Sequence, residues 1–593
     1  MSVLSAAAAG SARAPWLALA LASVAFHVGI VFWGLVPNLV ARPLHMALVL
    51  PWVLVWGASG LRRASGALLC AAGVAAALWV AWNHDRLADQ YGFAEGFGQM
   101  AVGVLLLLVT LEAARRAIGW PLPLVAAAAL AYAALGQHVP GRFGHAGLPP
   151  ESFLGTMTLA EGGLWGTLTG VSVEVVAVFV IFGAVLNAGE AGQGFMNLAA
   201  AAAGRLRGGA AKVSVLASAL FGSISGSASA NVASTGAVTL PAMARLGYPK
   251  RIAAAVEAVA SSGGQIMPPL MGAGAFVMVE LTGEPYTAIM AAAALPAALY
   301  FLAVWIGIDA YAARYDLRGL DEADRPALRD VALTSTFFAV PFAVLLWGMF
   351  AARLTPQYAA CLAVLAGAAL LLVGADLRFD LGRAAARAQG ALLAAARQVA
   401  LIGSIILCAS IVVGVLGATG LGVKITSAIL SVSGGALWPT LILTAVACLV
   451  LGMEVPTTAA YVICVSVAGP ALTELGLPAL QAHLFVFWSA LLSTITPPVC
   501  GAVFIAAGMI GENWLRVATT AMALGLGLYL IPLGMIAQPA VIGLAATPGP
   551  ALLAFGRIGV GLALVSIGLI GRRRSPPLRA AAALAGLALI LWP

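Results

Sequence analysis

The stretches IMPPLMGA (Ile266 to Ala273) and ITPPVCGA (Ile495 to Ala502) stand 229 residues apart, and the same shift lays LPAMARLGYP (Leu240 to Pro249) on GPALTELGLP (Gly469 to Pro478). Pro241 falls on Pro470, Gly247 on Gly476, Pro249 on Pro478, and the pair Pro268 and Pro269 on Pro497 and Pro498. After a one-residue gap, TGEPY (Thr282 to Tyr286) meets IGENW (Ile510 to Trp514). One loop and one proline pair repeated at one offset point to gene duplication, with repeat 1 around 205–310 and repeat 2 around 434–540.

Around these stretches the chain is hydrocarbon. Its 593 residues are 62% hydrophobic and 9% charged. The apolar residues come in many runs near the roughly 20 helical residues that cross a bilayer core of about 30 Å. These runs do not alternate as barrel strands do. The reading is an all-α polytopic membrane protein. Its first run, Trp16 to Val36, opens onto Pro37 without a convincing cleavage site and reads as a retained helix rather than a signal peptide.

The net charge of +8 does not point to nucleic acid, because the basic residues are scattered between apolar runs without aromatic platforms. Arg62 and Arg63, Arg115 and Arg116, the group Arg205, Arg207 and Lys212, and Arg572 to Arg574 are read as cytoplasmic loop cations under the positive-inside rule. The segment Asn83 to Gln99 carries Asp85, Asp89 and Glu95 against one arginine and is read as an outward loop. The six cysteines lie in apolar runs and read as small core residues, and the six histidines are dispersed without ligand spacing.

Charge also orients the two repeats. Arg245 to Arg251 holds Arg245, Lys250 and Arg251, whereas Glu474 to Leu480 holds one acid and no base. Opposite sides of the membrane are predicted for the two loops, making the repeat an inverted one, an arrangement of many secondary transporters.

Two features break the helices within each copy. One is polar and glycine-bearing, SGSASAN (Ser225 to Asn231) against EVPTTAA (Glu454 to Ala460); the other is the proline pair. Proline removes a backbone donor and bars the helical conformation to the residue before it. Non-helical backbone at membrane depth survives only inside protein or along a wet cavity, and a bound cation can satisfy its carbonyls. Hard cations take oxygen ligands. Ser225, Ser227, Thr457 and Thr458, with carbonyls near Gly226 and Ile266, are therefore expected to hold coupling ions. The two polar segments are expected to be tips of re-entrant helical hairpins. A carboxylate at this depth is costly and usually faces the protein interior. Glu454 is expected to bind an ion or a proton, and Glu174 and Glu257 to serve either function or structure, the latter by pairing with hydroxyls or loop bases.

LEAARRAIG (Leu111 to Gly119), GGAAKVSVLAS (Gly208 to Ser218), SGSASANVASTGAVTLP (Ser225 to Pro241) and EAVASSGGQIMPPLMGAGAFVM (Glu257 to Met278) together resemble the fused membrane component of TRAP transporters, in the TAXI branch. The resemblance implies residues 1–140 as helices like the small TRAP membrane subunit plus a linker, and 141–593 as the large-subunit-like transport region. It implies an elevator with a scaffold and a mobile domain in the bacterial cytoplasmic membrane. It further implies uptake of a small organic acid, driven by sodium ions or protons and delivered by a periplasmic substrate-binding protein. Carried across residue by residue, the ion sites take in Pro268, Thr496 and Pro497 besides the residues above. The substrate is bordered by Asn231, Ser261, Ser262, Gln265, Ser493 and Thr494. The second copy has ITPPV where the first has IMPPL, so the two ion sites need not be equivalent, and neither block offers an arginine to clamp a carboxylate.

The alternatives are a binding-protein-independent anion symporter of the dicarboxylate type, against which the N-terminal helices and Leu111 to Gly119 argue, and an intramembrane enzyme. The chain has no HExxH, GxSxG or GxxxxGK[ST], so no enzyme and no cofactor other than the coupling ions is expected.

Overall fold

The computed structural model describes residues 14–452, 457–498, 500–571 and 575–592. The described residues are helical apart from turns and one isolated antiparallel bridge, Val373 to Phe379. Nine of the described helices are long and apolar enough to cross a membrane, and nine shorter apolar helices accompany them. The chain is a multi-pass membrane protein. Its contacts divide it into two units, 1–190 with 337–425, and 191–336 with 426–593. The sequence division at residue 140 falls inside the first.

In the first unit the 39-residue helix Leu381–Thr419 is the axis against which Ala14–Trp33, Asn38–Leu54, Gly96–Ile118, Pro121–Leu135 and Ala177–Ala188 pack. At about 1.5 Å per residue it far exceeds a bilayer core. Trp16, Trp52 and Trp56 cluster beside it with Arg397 over the Trp56 ring, the placement expected of aromatic side chains at a membrane interface. Deeper in, His27 and His45 share a 2.7 Å hydrogen bond, and His45 continues to the Ser172 hydroxyl at 3.1 Å.

The second unit holds both copies of the repeat. We label the helices of the first copy α1 (Gly209–Ser225), α2 (Ala228–Arg245), α3 (Lys250–Gly264), α4 (Gly272–Thr282) and α5 (Tyr286–Tyr315). Those of the second are α6 (Leu437–Leu451), α7 (Thr457–Glu474), α8 (Ala479–Leu491), α9 (Gly501–Ile510) and α10 (Trp514–Leu524). Both ends of α2 and α7 differ by the sequence offset, as do the starts of α3 and α8 and of α4 and α9. Helix starts are thus set by the repeated prolines: Pro249 and Pro478 immediately precede α3 and α8, where a missing amide costs nothing. Small residues let these helices approach closely. A Cβ on Gly222 of α1 would stand 2.6 Å from the Gly264 Cα of α3, so the backbones touch there.

Three sequence expectations change. Lys212 is not a loop cation: it lies buried in α1, bonded to Asp309 of α5 at 2.6 Å and set over the Trp305 ring. Arg115 and Arg116 lie in the last turn of Gly96–Ile118, and both pair with Glu112. The segment Asn83 to Gln99 is largely helical, containing His84–Asp89 and the start of Gly96–Ile118, with Arg86 paired to Glu95 at 2.8 Å. In each case an acid at helical or tertiary reach claims a base that sequence alone leaves unassigned. Arg572 to Arg574 lie outside the described residues. All six cysteines are buried and free.

Candidate functional site

The first polar break is a two-residue turn. Gly226 ends α1 with φ +61°, a conformation that side chains with a Cβ rarely adopt, and Ser227 starts α2, its hydroxyl accepting the Ala230 amide at 3.3 Å. A Cβ on Gly226 would also stand 2.8 Å from the Cα of Gly272, the first residue of α4. The tip is thereby pressed against the end of the proline break. Ser225 is half-buried beside it.

The proline break itself runs from Gln265 to Met271, with cis peptides at Pro268–Pro269 and, in the second copy, Pro497–Pro498. Ile266 is fully buried, its amide on the Gly263 carbonyl. The carbonyls that the prolines free are not all left for an ion. The Tyr286 hydroxyl of α5 reaches Pro269 O at 2.5 Å and Leu270 O at 2.8 Å, while its ring stacks on Phe276. At the equivalent place Trp514 lies against Phe504. Sequence matching of TGEPY to IGENW pairs Tyr286 with Trp514 but gives no sign that the tyrosine hydroxyl caps the break.

Gln265 joins the two copies. Oriented by its hydrogen bonds, its amide nitrogen donates to the Thr457 hydroxyl at 2.5 Å and to Gly226 O at 3.3 Å, and its oxygen accepts the Ala228 amide at 3.1 Å. Thr457 is the first residue of α7, so one buried side chain binds the turn of the first copy and the start of a helix of the second. Thr494, which the offset pairs with Gln265, makes the reciprocal crossing: its hydroxyl donates to Ser262 at 2.9 Å. Thr496 bonds Tyr529 at 2.6 Å, and Ser493 donates back to Ala490 O. Thr458 is buried one residue beyond Thr457, and Pro268 and Pro497 are half-buried. Glu454 lies outside the described residues.

Two of the expected substrate residues are engaged in hydrogen bonds within the protein. Asn231 is fully buried within the α1–α2–α3 packing, its amide nitrogen on Ser218 O at 2.9 Å, and Ser261 points to Glu257. Glu257, left between roles by the sequence, is fully buried and surrounded by the hydroxyls of Ser214, Thr235, Thr239 and Ser261. Glu174 lies exposed in the π-helical turn Ser172–Val176. Among the described residues no group of three His, Cys, Asp or Glu side chains could hold a metal. At the first tip the oxygens at hand are hydroxyls and carbonyls, those of Ser225, Gly226 and Ser227.

Comparison with known proteins follows the same residues. A family profile, tripartite ATP-independent periplasmic transporter, DctM component, matches residues 105–549, most of the chain and all of both repeats. The C4-dicarboxylate TRAP transporter large permease protein DctM of Pseudomonas aeruginosa is 26% identical over 340 residues, 56% of this chain and 76% of its own length. The isethionate TRAP transporter permease protein DctMQ of Oleidesulfovibrio alaskensis is 26% identical over 365 residues, 60% of this chain and 56% of its own length. The DctM of Rhodobacter capsulatus is 37% identical over 98 residues, 16% of this chain and 22% of its own length. The profile match spans most of the chain, and the chain belongs to the DctM component family of tripartite ATP-independent periplasmic transporters, a family of permeases and not of enzymes.

Proposed function

We propose that this protein is an ion-coupled secondary transporter of the bacterial inner membrane that imports a small organic acid handed to it by a periplasmic substrate-binding protein. The observation that carries the reading is the Gln265 bridge between Gly226, Ala228 and Thr457. It gathers polar backbone and side chains from both copies at the helix breaks, where repeat-built transporters place substrate and ions. In this reading the two tips are re-entrant hairpins of opposite orientation, and a mobile transport domain moves as an elevator within a scaffold. Sodium is held by Ser225, Gly226, Ser227, Ile266 and Pro268 on one side and by Glu454, Thr457, Thr458, Thr496 and Pro497 on the other. Asn231, Ser261, Ser262, Gln265, Ser493 and Thr494 border the substrate path, with Gln265 and Thr494 as its nearest polar groups.

The relatives named for C4-dicarboxylates and for isethionate both handle small organic anions, which supports a substrate of that class. The second of these carries a DctMQ designation, which favours reading the N-terminal helices as a fused small subunit. The TAXI assignment rests on the sequence blocks around Ser225 and Glu257. The test is uptake of labelled dicarboxylates and related acids into proteoliposomes, with and without the purified binding protein and an inward sodium gradient. Uptake only when both are present is expected. Full uptake without a binding protein would overturn the reading in favour of an independent anion symporter.

A further inference from the structure

Glu257 stands apart from both tips, and its surroundings are unusual for a carboxyl at membrane depth. Ser214 of α1 reaches Oε2 at 2.7 Å, Thr239 of α2 reaches Oε2 at 2.5 Å, Thr235 of α2 contacts Oε1, and Ser261 of α3 reaches Oε1 at 3.4 Å. No cation accompanies them among the described residues. Lys212 of α1 is taken by Asp309 of α5. Arg245 at the end of α2 and Lys250 at the start of α3 are exposed, and Arg251 donates to Tyr315 of α5. Tyr300 of α5 donates to Val259 O, α9 has no ionisable residue, and Arg516 of α10 is exposed.

The hydroxyls can serve either protonation state. The ionised carboxylate is an acceptor only and can take all four hydroxyl protons. The neutral acid must donate one proton, and two threonines are placed to receive it. Thr235 has its own helix carbonyl, Asn231 O, at 2.8 Å, and Thr239 has Thr235 O at 3.0 Å. When the carboxyl donates to either threonine, that hydroxyl turns to its backbone carbonyl and nothing is left unpaired. The two states differ by the turn of one O–H bond. A sodium ion does not fit, because oxygens of this cluster approach one another at O–H···O distances, whereas ligands about 2.3–2.6 Å from a metal ion are held further apart.

The repeat supplies an internal control. The positions equivalent to Ser214, Thr235, Thr239, Glu257 and Ser261 are Leu443, Cys464, Ala468, Val486 and Ala490. The second copy builds the same helices with not one of these oxygens. The carboxyl and its hydroxyls are therefore not required by the fold of the repeat. Gly236 completes the fit, since a Cβ there would stand 3.2 Å from the Glu257 side chain.

We propose that Glu257 is a proton-binding site, one per chain and confined to the first repeat, at which the carboxylate takes a proton from water and returns it to water during the transport cycle. The proposal rests on the transporter reading for the coupling step but not for the binding step. Infrared difference spectra of the full-length protein, titrated in the absence of substrate, measure binding. A titrating carboxylic-acid carbonyl band that shifts in heavy water and is missing in Glu257→Gln is expected. Its persistence in Glu257→Gln, or the absence of any such band from the unsubstituted protein, would overturn the proposal. Thr239→Val, which keeps the carboxyl and removes one hydroxyl, should shift the midpoint of the band; an unmoved midpoint counts against the cluster. In proteoliposomes, Glu257→Gln should keep substrate exchange while losing stimulation of net uptake by a pH gradient. Retained stimulation would remove the coupling step. Absence of all uptake and exchange from the unsubstituted protein would refute the transporter reading while leaving the infrared result to decide the site.

Discussion

Thr494 and Ser262 meet across the duplication: the hydroxyl of one, at the end of the helix preceding the second proline break, donates to the hydroxyl of the other, at the same level of the first copy, over 2.9 Å. Together with Gln265 and Thr457 this makes two polar crossings between the copies. Neither crossing is hydrocarbon packing, so both can be cut by substitutions that keep volume.

Gln265→Leu should leave the Ala228 amide and Gly226 carbonyl without their side-chain partner. The expected cost is about 1–3 kcal/mol for the buried polar groups, read as a roughly 5- to 150-fold rise in the sodium concentration for half-maximal uptake. Uptake against sodium by folded variant protein is the measurement. An unchanged sodium dependence would separate the bridge from the ion sites.

Ser225→Ala and Thr457→Ala test the same sites from the ligand side. Alanine keeps helix propensity and close packing, so protein yield and melting should hold while sodium affinity falls. If alanine is tolerated and only Ser225→Leu fails, the serine is a packing residue.

Gly226→Ala adds a Cβ both to a left-handed φ and to a site 2.8 Å from Gly272. Left-handed backbone alone costs about 1–2 kcal/mol in a residue with a Cβ, and the clash adds to it. Thermal unfolding in detergent should show a clear fall in midpoint, whereas Gly417→Ala, on a helix with open space around it, should change little.

Tyr286→Phe keeps the ring against Phe276 and deletes the hydroxyl from Pro269 O and Leu270 O. A loss of about 1–3 kcal/mol in stability is expected. Trp514→Leu should instead lose aromatic contact with Phe504 while leaving the first break capped. The two melting curves, and sodium dependence measured alongside, distinguish a cap from a stack.

The opposite orientation of the two copies is tested by Arg245→Cys and Glu474→Cys, the last residues of α2 and α7 and both exposed. In a background without the native cysteines, an impermeant thiol reagent should label them from opposite faces of the membrane. Tyr248 is a poor site for this purpose because it is buried. Labelling of both from one face would contradict the inverted arrangement.

Much of this was legible in the sequence because duplication and proline act locally. Pro249 and Pro478 mark helix starts, Gly226 marks a turn, and the offset transfers each feature to its counterpart. The side-chain partners were not legible. Lys212 looks like a loop cation until Asp309, 97 positions away, is brought to it. For Glu257 the sequence allowed pairing with hydroxyls or loop bases but did not show which, since the two serines and two threonines that surround it come from three helices. Gln265 lies beside the prolines, yet its bond to Thr457 depends on how the two copies close together. Helix ends follow from residues a turn apart, whereas these contacts follow from packing between segments far apart in the chain.

The meeting of Gly222 and Gly264 has a mechanical side. With no side chain between them, α1 and α3 have no compliant layer at the crossing, and α1 cannot tilt there without carrying α3 along. The crossing lies four residues before the turn at Gly226 and one residue before Gln265. It acts as a stiff strut that ties the turn at Gly226, without slack, to the side chain that grips the other copy.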